Sequence, residues 1–464
     1  MIKNNKFLKA GLGYTIGNFL LKGITFLTIP LFSRLLTPTD YGYVNVFLSY
    51  DTILSIVIGL GFHASIKNAK YEFDNIDEYC STILFRAIKN GVFFLVLANI
   101  LYTFLPTLFP FNRIVINLLV LQSLFSCFIL IYNNRVSLDY QYKKFLKISF
   151  FNTVGNIFIS IILILTLFSH QRYLGRILGI TISTFIVAIY IVIHFFKQSG
   201  PTKNKKYLSF ALNFSLPLIP HGLSQVILSQ FDRIMINSMV GTFESGLYSF
   251  CTNISLIPTV INSSIDQVWM TWFFEKMNQK EYKAIGERAK KMLCLFSFII
   301  CFFCSLSPEM IKVLAPITYW KSTECVIPIV LSVYFIFLYS FPSYIEYYYK
   351  RTKAIALGSM LAAIINIVLN YIMIKKFGYV AAAYTTVFAY FLYFLYHWII
   401  SIRITDIRLY DIKFFMFMIL FTILNAGLST YFISNLIVRI VILVIAILIY
   451  TYVFFKLKGD SKNA

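Results

Sequence analysis

The sequence predicts an all-α integral membrane protein of about fourteen transmembrane helices, built as two pseudo-symmetric six-helix lobes followed by two C-terminal helices. Three observations carry this. Apolar residues arrive in long blocks, basic residues alternate between the two sides of those blocks, and the first half of the chain recurs weakly in the second.

The blocks come first. Of 464 residues, 59% are hydrophobic and only 13% are charged. A soluble domain of this length needs far more charge to cover its surface. Segments 145–169, 326–344 and 414–432 each approach the ~20 residues that cross ~30 Å of hydrocarbon at ~1.5 Å per residue. They do not alternate apolar with polar, as the strands of an outer-membrane barrel would. Unpaired backbone groups are costly in lipid, so the spans are predicted as helices. In chain order they fall at 11–33, 43–66, 83–105, 114–132, 145–169, 174–196, 208–239, 246–273, 289–315, 326–348, 354–374, 378–400, 414–432 and 436–455. The first follows Lys3, Lys6 and Lys9 and could be mistaken for a signal peptide. It runs on too far and lacks an A-x-A site, so a retained helix is expected.

The charge pattern agrees with this division. The formal net charge is +22, which in a soluble protein would suggest nucleic acid. Here the bases sit in short loops and at span ends. With the N-terminus placed in the cytoplasm, thirty of the 41 lysines and arginines fall on the inner side and nine on the outer. Arg34, Arg176 and Arg439 are among the outer nine. Lys22 and Arg233 lie inside spans. This asymmetry is the positive-inside rule, and an even number of spans puts both termini inside. Lys203, Lys205 and Lys206 form a basic linker, giving lobes at 1–202 and 203–410 and an appended pair at 411–464. No partner of the nucleic-acid class is expected.

The repeat supports two lobes. A shift of 199 places Lys22 on His221, Gly23 on Gly222, Phe32 on Phe231 and Arg34 on Arg233. Further on, Asn152-x3-Asn156 resembles Asn366-x3-Asn370. Duplicated helical lobes are a common transporter plan, with a pathway between them.

Charges inside spans are the candidate site. A cation in hydrocarbon costs several kcal/mol unless water, a partner or a ligand meets it. Lys22 lies about twelve residues into the first span, about 18 Å along it; it lines a wet cavity or forms an ion pair. His221 follows Pro217 and Pro220, which remove backbone donors and favour a kink. Arg34 and Arg233 are suited to gripping phosphate oxygens, while interfacial snorkelling of Arg34 and a local pair of Arg233 with Asp232 are the plainer readings. His63 and Lys67 lie four apart at the inner end of the second helix, at a pathway entrance or a solvated helix end. Asp51, Asp266 and Glu346 are candidates for coupling to a proton or sodium ion. Cys301-x2-Cys304 lies in an apolar span and reads as packing rather than zinc or redox chemistry. No nucleotide loop, hydrolase elbow, metalloprotease motif or catalytic acid pair occurs, so neither an enzyme nor a cofactor is expected.

Several stretches resemble a known family. They are Gly11-x-Gly13-Tyr14-x4-Phe19-x3-Gly23, Pro30-Leu31-Phe32-Ser33-Arg34 and Thr37-Pro38-Thr39-Asp40-Tyr41-Gly42. In the second half they are Ser215-Leu216-Pro217-Leu218-Ile219-Pro220-His221, Asp232-Arg233-x7-Gly241, Glu244-Ser245-Gly246 and Phe377-Gly378-Tyr379-x-Ala381. Together they are similar to Wzx-type O-antigen and capsule flippases of the multidrug/oligosaccharidyl-lipid/polysaccharide superfamily. The resemblance spans essentially the whole chain. It implies lobes in a V shape, alternating access, and undecaprenyl-pyrophosphate-linked oligosaccharide carried from the cytoplasmic to the outer leaflet of a bacterial inner membrane. It implies membrane lipids and the polysaccharide polymerase machinery as partners. The family's cationic cavity matches Lys22, Arg34, His221 and Arg233 by position, although Lys22 is not an arginine. Two other readings stand beside it: a multidrug–cation antiporter, which would want acids facing the pathway, and a polymerase, which would want a large outer loop.

Overall fold

The computed structural model describes residues 2–460, with side chains from 13 to 457 apart from Thr15. The side chains of Lys3, Lys6, Lys9, Gly11, Lys458 and Lys462 lie outside the described residues. All regular structure among the described residues is helical. The chain forms two compact units, Met1–Ser238 and Met239–Ala464.

The first unit contains α1 (Ile2–Leu27), α2 (Ile29–Leu35), α3 (Pro38–Ile58), α4 (Ile66–Glu72), α5 (Ile76–Phe104), α6 (Arg113–Leu138), α7 (Tyr142–Leu165), α8 (Arg172–Ser199), α9 (Lys205–Ser215) and α10 (Ile219–Met239). The second contains α11 (Thr242–Ile254), α12 (Leu256–Asn278), α13 (Tyr282–Leu314), α14 (Thr323–Tyr348), α15 (Thr352–Phe377), α16 (Val380–Ile404), α17 (Ile412–Tyr431) and α18 (Leu436–Asp460).

Twelve of the described helical segments are long and apolar enough to cross a membrane. The protein is therefore a multi-pass membrane protein. The two remaining spans of the sequence reading, 208–239 and 246–273, are helical but more polar. The first breaks into α9 and α10 through a 3-10 turn at Leu216–Leu218, where Pro217 and Pro220 withdraw two backbone donors. The second breaks at Ser255, between α11 and α12. With α10 and α12 the number of passes reaches the expected fourteen. Ser224, Gln225, Ser229, Gln230 and Asp232 lower the apolarity of α10, and polarity at a span marks a helix that faces something other than lipid.

Local chemistry fixes the ends. The Thr37-Pro38-Thr39-Asp40 motif is a capping box: Thr37 Oγ1 accepts from the Asp40 amide at 3.1 Å, and Asp40 Oδ2 accepts from the Thr37 amide at 3.1 Å. It satisfies two of the donors a helix start leaves unpaired. At the other ends, α3, α6, α12 and α14 each close with a left-handed residue that is not glycine: Leu60, Tyr140, Lys280 and Lys350, with φ of 46°, 57°, 58° and 57°. In each case the next amide reaches back over the turn, from Gly61 to Ile56, Gln141 to Val136, Glu281 to Lys276 and Arg351 to Glu346. These are Schellman closures. They fall on the second and fourth spans of one half and on the corresponding spans of the other, so the repeat is written in backbone geometry more clearly than in residue identity.

Packing follows from small residues and apolar faces. Gly17 lets α1 lie directly on α7, where a side chain would collide with Leu146. In the first unit, Phe62, Tyr79, Ile83, Ile131 and Ile191 form one buried cluster that holds α5, α6 and α8 together. The basic end of this unit is closed by ion pairs: Arg135 to Asp77 at 2.6 Å and to Asp139 at 2.5 Å, and Lys70 to Asp139 at 2.9 Å.

Candidate functional site

Each unit carries a buried polar seam, and the predicted acids Asp51 and Glu346 lie in these seams. In the first, Asp51 on α3 is 8% exposed. Its Oδ2 accepts from Ser126 on α6 at 3.2 Å, while its Oδ1 has no partner among the described residues. Gln122, one turn from Ser126, donates to Ser126 at 3.2 Å and approaches Thr184 of α8 at 3.4 Å. Thr184 and Ser183 both lie 3.4 Å from the Asn152 side chain of α7. Four helices thus meet on one polar thread that begins at an acid. A buried polar group costs free energy unless it is hydrogen-bonded, and Asp51 Oδ1 leaves one acceptor of the thread unmet among the described residues.

In the second unit, Glu346 on α14 and His397 on α16 are both fully buried, with His397 Nδ1 2.5 Å from Glu346 Oε1. Glu346 Oε2 and His397 Nε2 find no hydrogen-bond partner among the described residues. The imidazole lies in an aromatic cage, 4.5 Å from Tyr393, 5.3 Å from Tyr396 and 5.9 Å from Tyr339 by ring centroid. Gly358 makes room for it: a Cβ there would stand 3.2 Å from Nε2. Such a pair can hold one proton between its members. Asp266 on α12 takes a different partner, accepting from the Tyr344 hydroxyl.

The predicted bases are placed less uniformly. Lys22 is exposed on α1, with no polar contact among the described residues. Arg34 ends α2 and donates to the Pro30 carbonyl at 2.9 Å. His221 is half-buried at the start of α10, directly after the proline break. Arg233 donates to Gln230, whose side chain in turn lies 3.4 Å from Ser49 on α3, two residues from Asp51. Arg233 and Asp51 are thereby brought to the same region of the first unit. His63 and Lys67 do not continue one helix: α3 ends at Ile58, His63 sits in the 3-10 turn Phe62–Ala64, and Lys67 is exposed on α4. The left-handed pair Leu60-Gly61 makes that break.

Three functional residues escaped the sequence reading. His397 was read as part of an ordinary apolar span; its only signal is being a histidine in an otherwise aromatic helix. Arg176 was counted as an outer base, yet it stacks 3.8 Å from the Phe32 ring and donates to Asn156 and, at 2.8 Å, to Ser160. Among the described residues it meets no carboxylate. Arg439, also counted as an outer base, is fully buried and bidentate to Glu309 on α13. Cys301 and Cys304 are buried, free cysteines within α13, and no metal-binding group of three His, Cys, Asp or Glu exists among the described residues.

These features define a multi-pass helical membrane protein with a duplicated plan and buried acids in both halves. The chain belongs to the polysaccharide biosynthesis protein family, whose profile matches residues 7–277. Among curated proteins it is 24% identical over 390 residues to "Lsg locus putative protein 1" of Haemophilus influenzae, covering 78% of this chain and 90% of that one. It is also 24% identical over 381 residues to an uncharacterized membrane protein of the same organism, covering 76% and 86%. Among solved structures it shares its fold with the lipid II flippase MurJ in an inward closed conformation, at a TM-score of 0.73 and 18% identity over 96% of this chain and 98% of that one. An inward-facing multidrug resistance MATE family transporter of the MOP superfamily gives a TM-score of 0.62 at 13% identity, covering 83% and 94%.

Proposed function

We propose that the protein is a flippase that moves undecaprenyl-pyrophosphate-linked oligosaccharide repeat units from the cytoplasmic to the outer leaflet of a bacterial inner membrane by alternating access, for O-antigen or capsule synthesis. The observation that carries this reading is Lys22, a lysine in the first spanning helix that meets no acid among the described residues, in a chain of the polysaccharide biosynthesis family. A cation held in a span without a partner is a seat for an anion, and a pyrophosphate is an anion that membrane polysaccharide assembly must move. Arg34 and Arg233 extend the cationic set along α2 and α10, with His221 as a polar neighbour at the start of α10 and His63 and Lys67 nearer the inner end. Asp51, Asp266 and Glu346 serve coupling to a proton or sodium gradient, with His397 sharing the proton of Glu346. The termini face the cytoplasm, and the lobes divide near the basic linker at 203–206.

A cation antiporter is the second reading, favoured by the buried carboxyls Asp51 and Glu346. The two readings part in a deletion strain. Loss of this protein should leave lipid-linked repeat units accumulated on the cytoplasmic face of the membrane and no surface polymer. Lys22→Ala and Arg233→Ala should each reproduce that loss while the protein remains in the membrane. Normal surface polysaccharide from both variants would refute the cationic seat. Accumulation on the outer face would point to a polymerase, and drug sensitivity with normal polysaccharide to an antiporter.

A further inference from the structure

A groove on the first unit, bordered at Ser183 by the first polar seam, has a lining of its own. It runs between α6, α7 and α8 and has a volume of about 400 Å³. One end holds Lys144 and Lys147 of α7 together with Tyr132 and Tyr190. From there its floor is apolar, passing Phe151 to Ile159. From Lys144 to Ile159 the helix rises about 22 Å, most of the ~30 Å of a bilayer's hydrocarbon. Gly155 lines the middle of the groove and lets α7 pack closely on α8, where a Cβ would stand 2.8 Å from Ser183 Oγ.

The two lysines have no carboxylate or other polar partner among the described residues. Nearby, Lys70 and Arg135 are bound by Asp77 and Asp139, whereas Lys144 and Lys147 line the groove. α1 lies against another face of α7, at Tyr142 and Leu146, and does not fill the groove. A cationic mouth with aromatic flanks, opening on an apolar channel of leaflet length, is complementary to one chemistry. That chemistry is a molecule with an anionic phosphate head and a long hydrocarbon tail. Basic pockets between spanning helices on this side of a membrane hold acidic phospholipid head groups, and tyrosines favour the same interfacial depth.

We propose that this groove is a binding site for an acidic membrane phospholipid, with Lys144 and Lys147 on the phosphate and one acyl chain laid along Phe151, Gly155 and Ile159. The mouth supplies two ammonium groups and the hydroxyls of Tyr132 and Tyr190, a small polar set that suits a compact phosphate head rather than an oligosaccharide. The site is separate from Lys22 and Arg233, and its existence does not depend on the flippase reading.

The test uses the full chain purified in detergent, with native mass spectrometry during titration by phosphatidylglycerol, phosphatidylethanolamine or undecaprenyl phosphate. One phosphatidylglycerol should bind in preference to phosphatidylethanolamine. Lys144→Gln/Lys147→Gln should weaken it about thirty-fold, from roughly 1 kcal/mol per basic residue near the head group. Both lysines are exposed, so the fold is retained, which circular dichroism checks. Ile159→Trp, which plugs the apolar end while keeping both charges, should also reduce phosphatidylglycerol retention. Equal binding of the two phospholipids, or undiminished phosphatidylglycerol binding by the double-glutamine variant, overturns the proposal. Displacement of phosphatidylglycerol by equimolar undecaprenyl phosphate overturns the choice of ligand.

Discussion

The hairpins α7–α8 and α15–α16 descend from one pattern and have been put to different uses. Both carry an asparagine pair four residues apart, Asn152 and Asn156 in the first unit, Asn366 and Asn370 in the second. In the second unit the pair is fully buried and met by hydroxyls, Asn366 within 3.3 Å of Thr386 and Asn370 bonded to Thr385. In the first it is half-buried and divided in its duties. Asn152 continues the thread from Asp51, while Asn156 holds the guanidinium of Arg176. The arginines of the two units differ in the same sense. Arg439 is neutralised by Glu309, with a further bond of 2.6 Å to the Ser305 carbonyl. Arg176 is held by neutral oxygens and an aromatic face and keeps its charge. The first unit's α7–α8 hairpin holds an open positive group, while the closed ion pair of the second unit lies on α18, outside the repeated hairpins.

Breaking the closed ion pair should have the largest effect. Glu309→Leu alone leaves Arg439 a lone buried charge and should cost about 3–5 kcal/mol. Arg439→Leu should cost less, because Glu309 is partly exposed with Lys312 3.8 Å away. The double variant Arg439→Met/Glu309→Leu should recover most of the larger loss. Thermal unfolding in detergent measures all three, and equal losses for Glu309→Leu and the double variant would remove the contrast with Arg176. Next, Arg176→Met should cost about 2 kcal/mol, because Asn156 and Ser160 lose a charged donor. Thr385→Val, the neutral counterpart, should cost only about 1 kcal/mol. If the two losses are equal, the charge at Arg176 has no structural weight of its own.

The pH dependence gives a smaller contrast. Asp139 is partly buried, which alone would raise its pKa, but hydrogen bonds from Arg135 and Lys70 more than offset this and hold it below the ordinary range. Asp411 is lowered by its bond to Lys290, against a weak opposing effect of burial. Both carboxyls have a depressed folded-state pKa. Their stabilisation is complete above the unfolded value of about 4 and fades as pH falls through the lower folded value. Asp139→Asn should therefore flatten the loss of melting temperature between about pH 5 and about pH 3 more than Asp411→Asn does, since Asp139 serves two cations and Asp411 one. The smallest effect sits in the turns. Lys280→Gly and Lys350→Gly should each stabilise by about 0.5–1 kcal/mol, because glycine adopts the left-handed closure without penalty. A loss of stability would show that those side chains hold the turn.

Much of the helical plan could be read from the residues. Long apolar blocks and the side preference of lysine and arginine are properties of composition, and they report length and polarity. The break at Pro217 and Pro220 was legible for the same reason, as a local covalent effect. Pairings across helices were not. Whether Arg439 meets Glu309, 130 positions away, or His397 meets Glu346, 51 positions away, depends on how each helix is rotated about its axis. Hydropathy averaged along a block carries no such phase. The end of α3 was misread because nothing apolar changes there; a leucine and a glycine turn left-handed, and His63 leaves the helix that Lys67 was assumed to share.

The turn that follows α3 has one more consequence. Gly61 presses on the proline break, where a Cβ would lie 3.4 Å from Ile219 and 3.7 Å from the Ser215 carbonyl. The left-handed closure of α3 and the proline break before α10 are therefore immediate neighbours, and a side chain at position 61 would have to fit both the positive φ and the space beside Ile219.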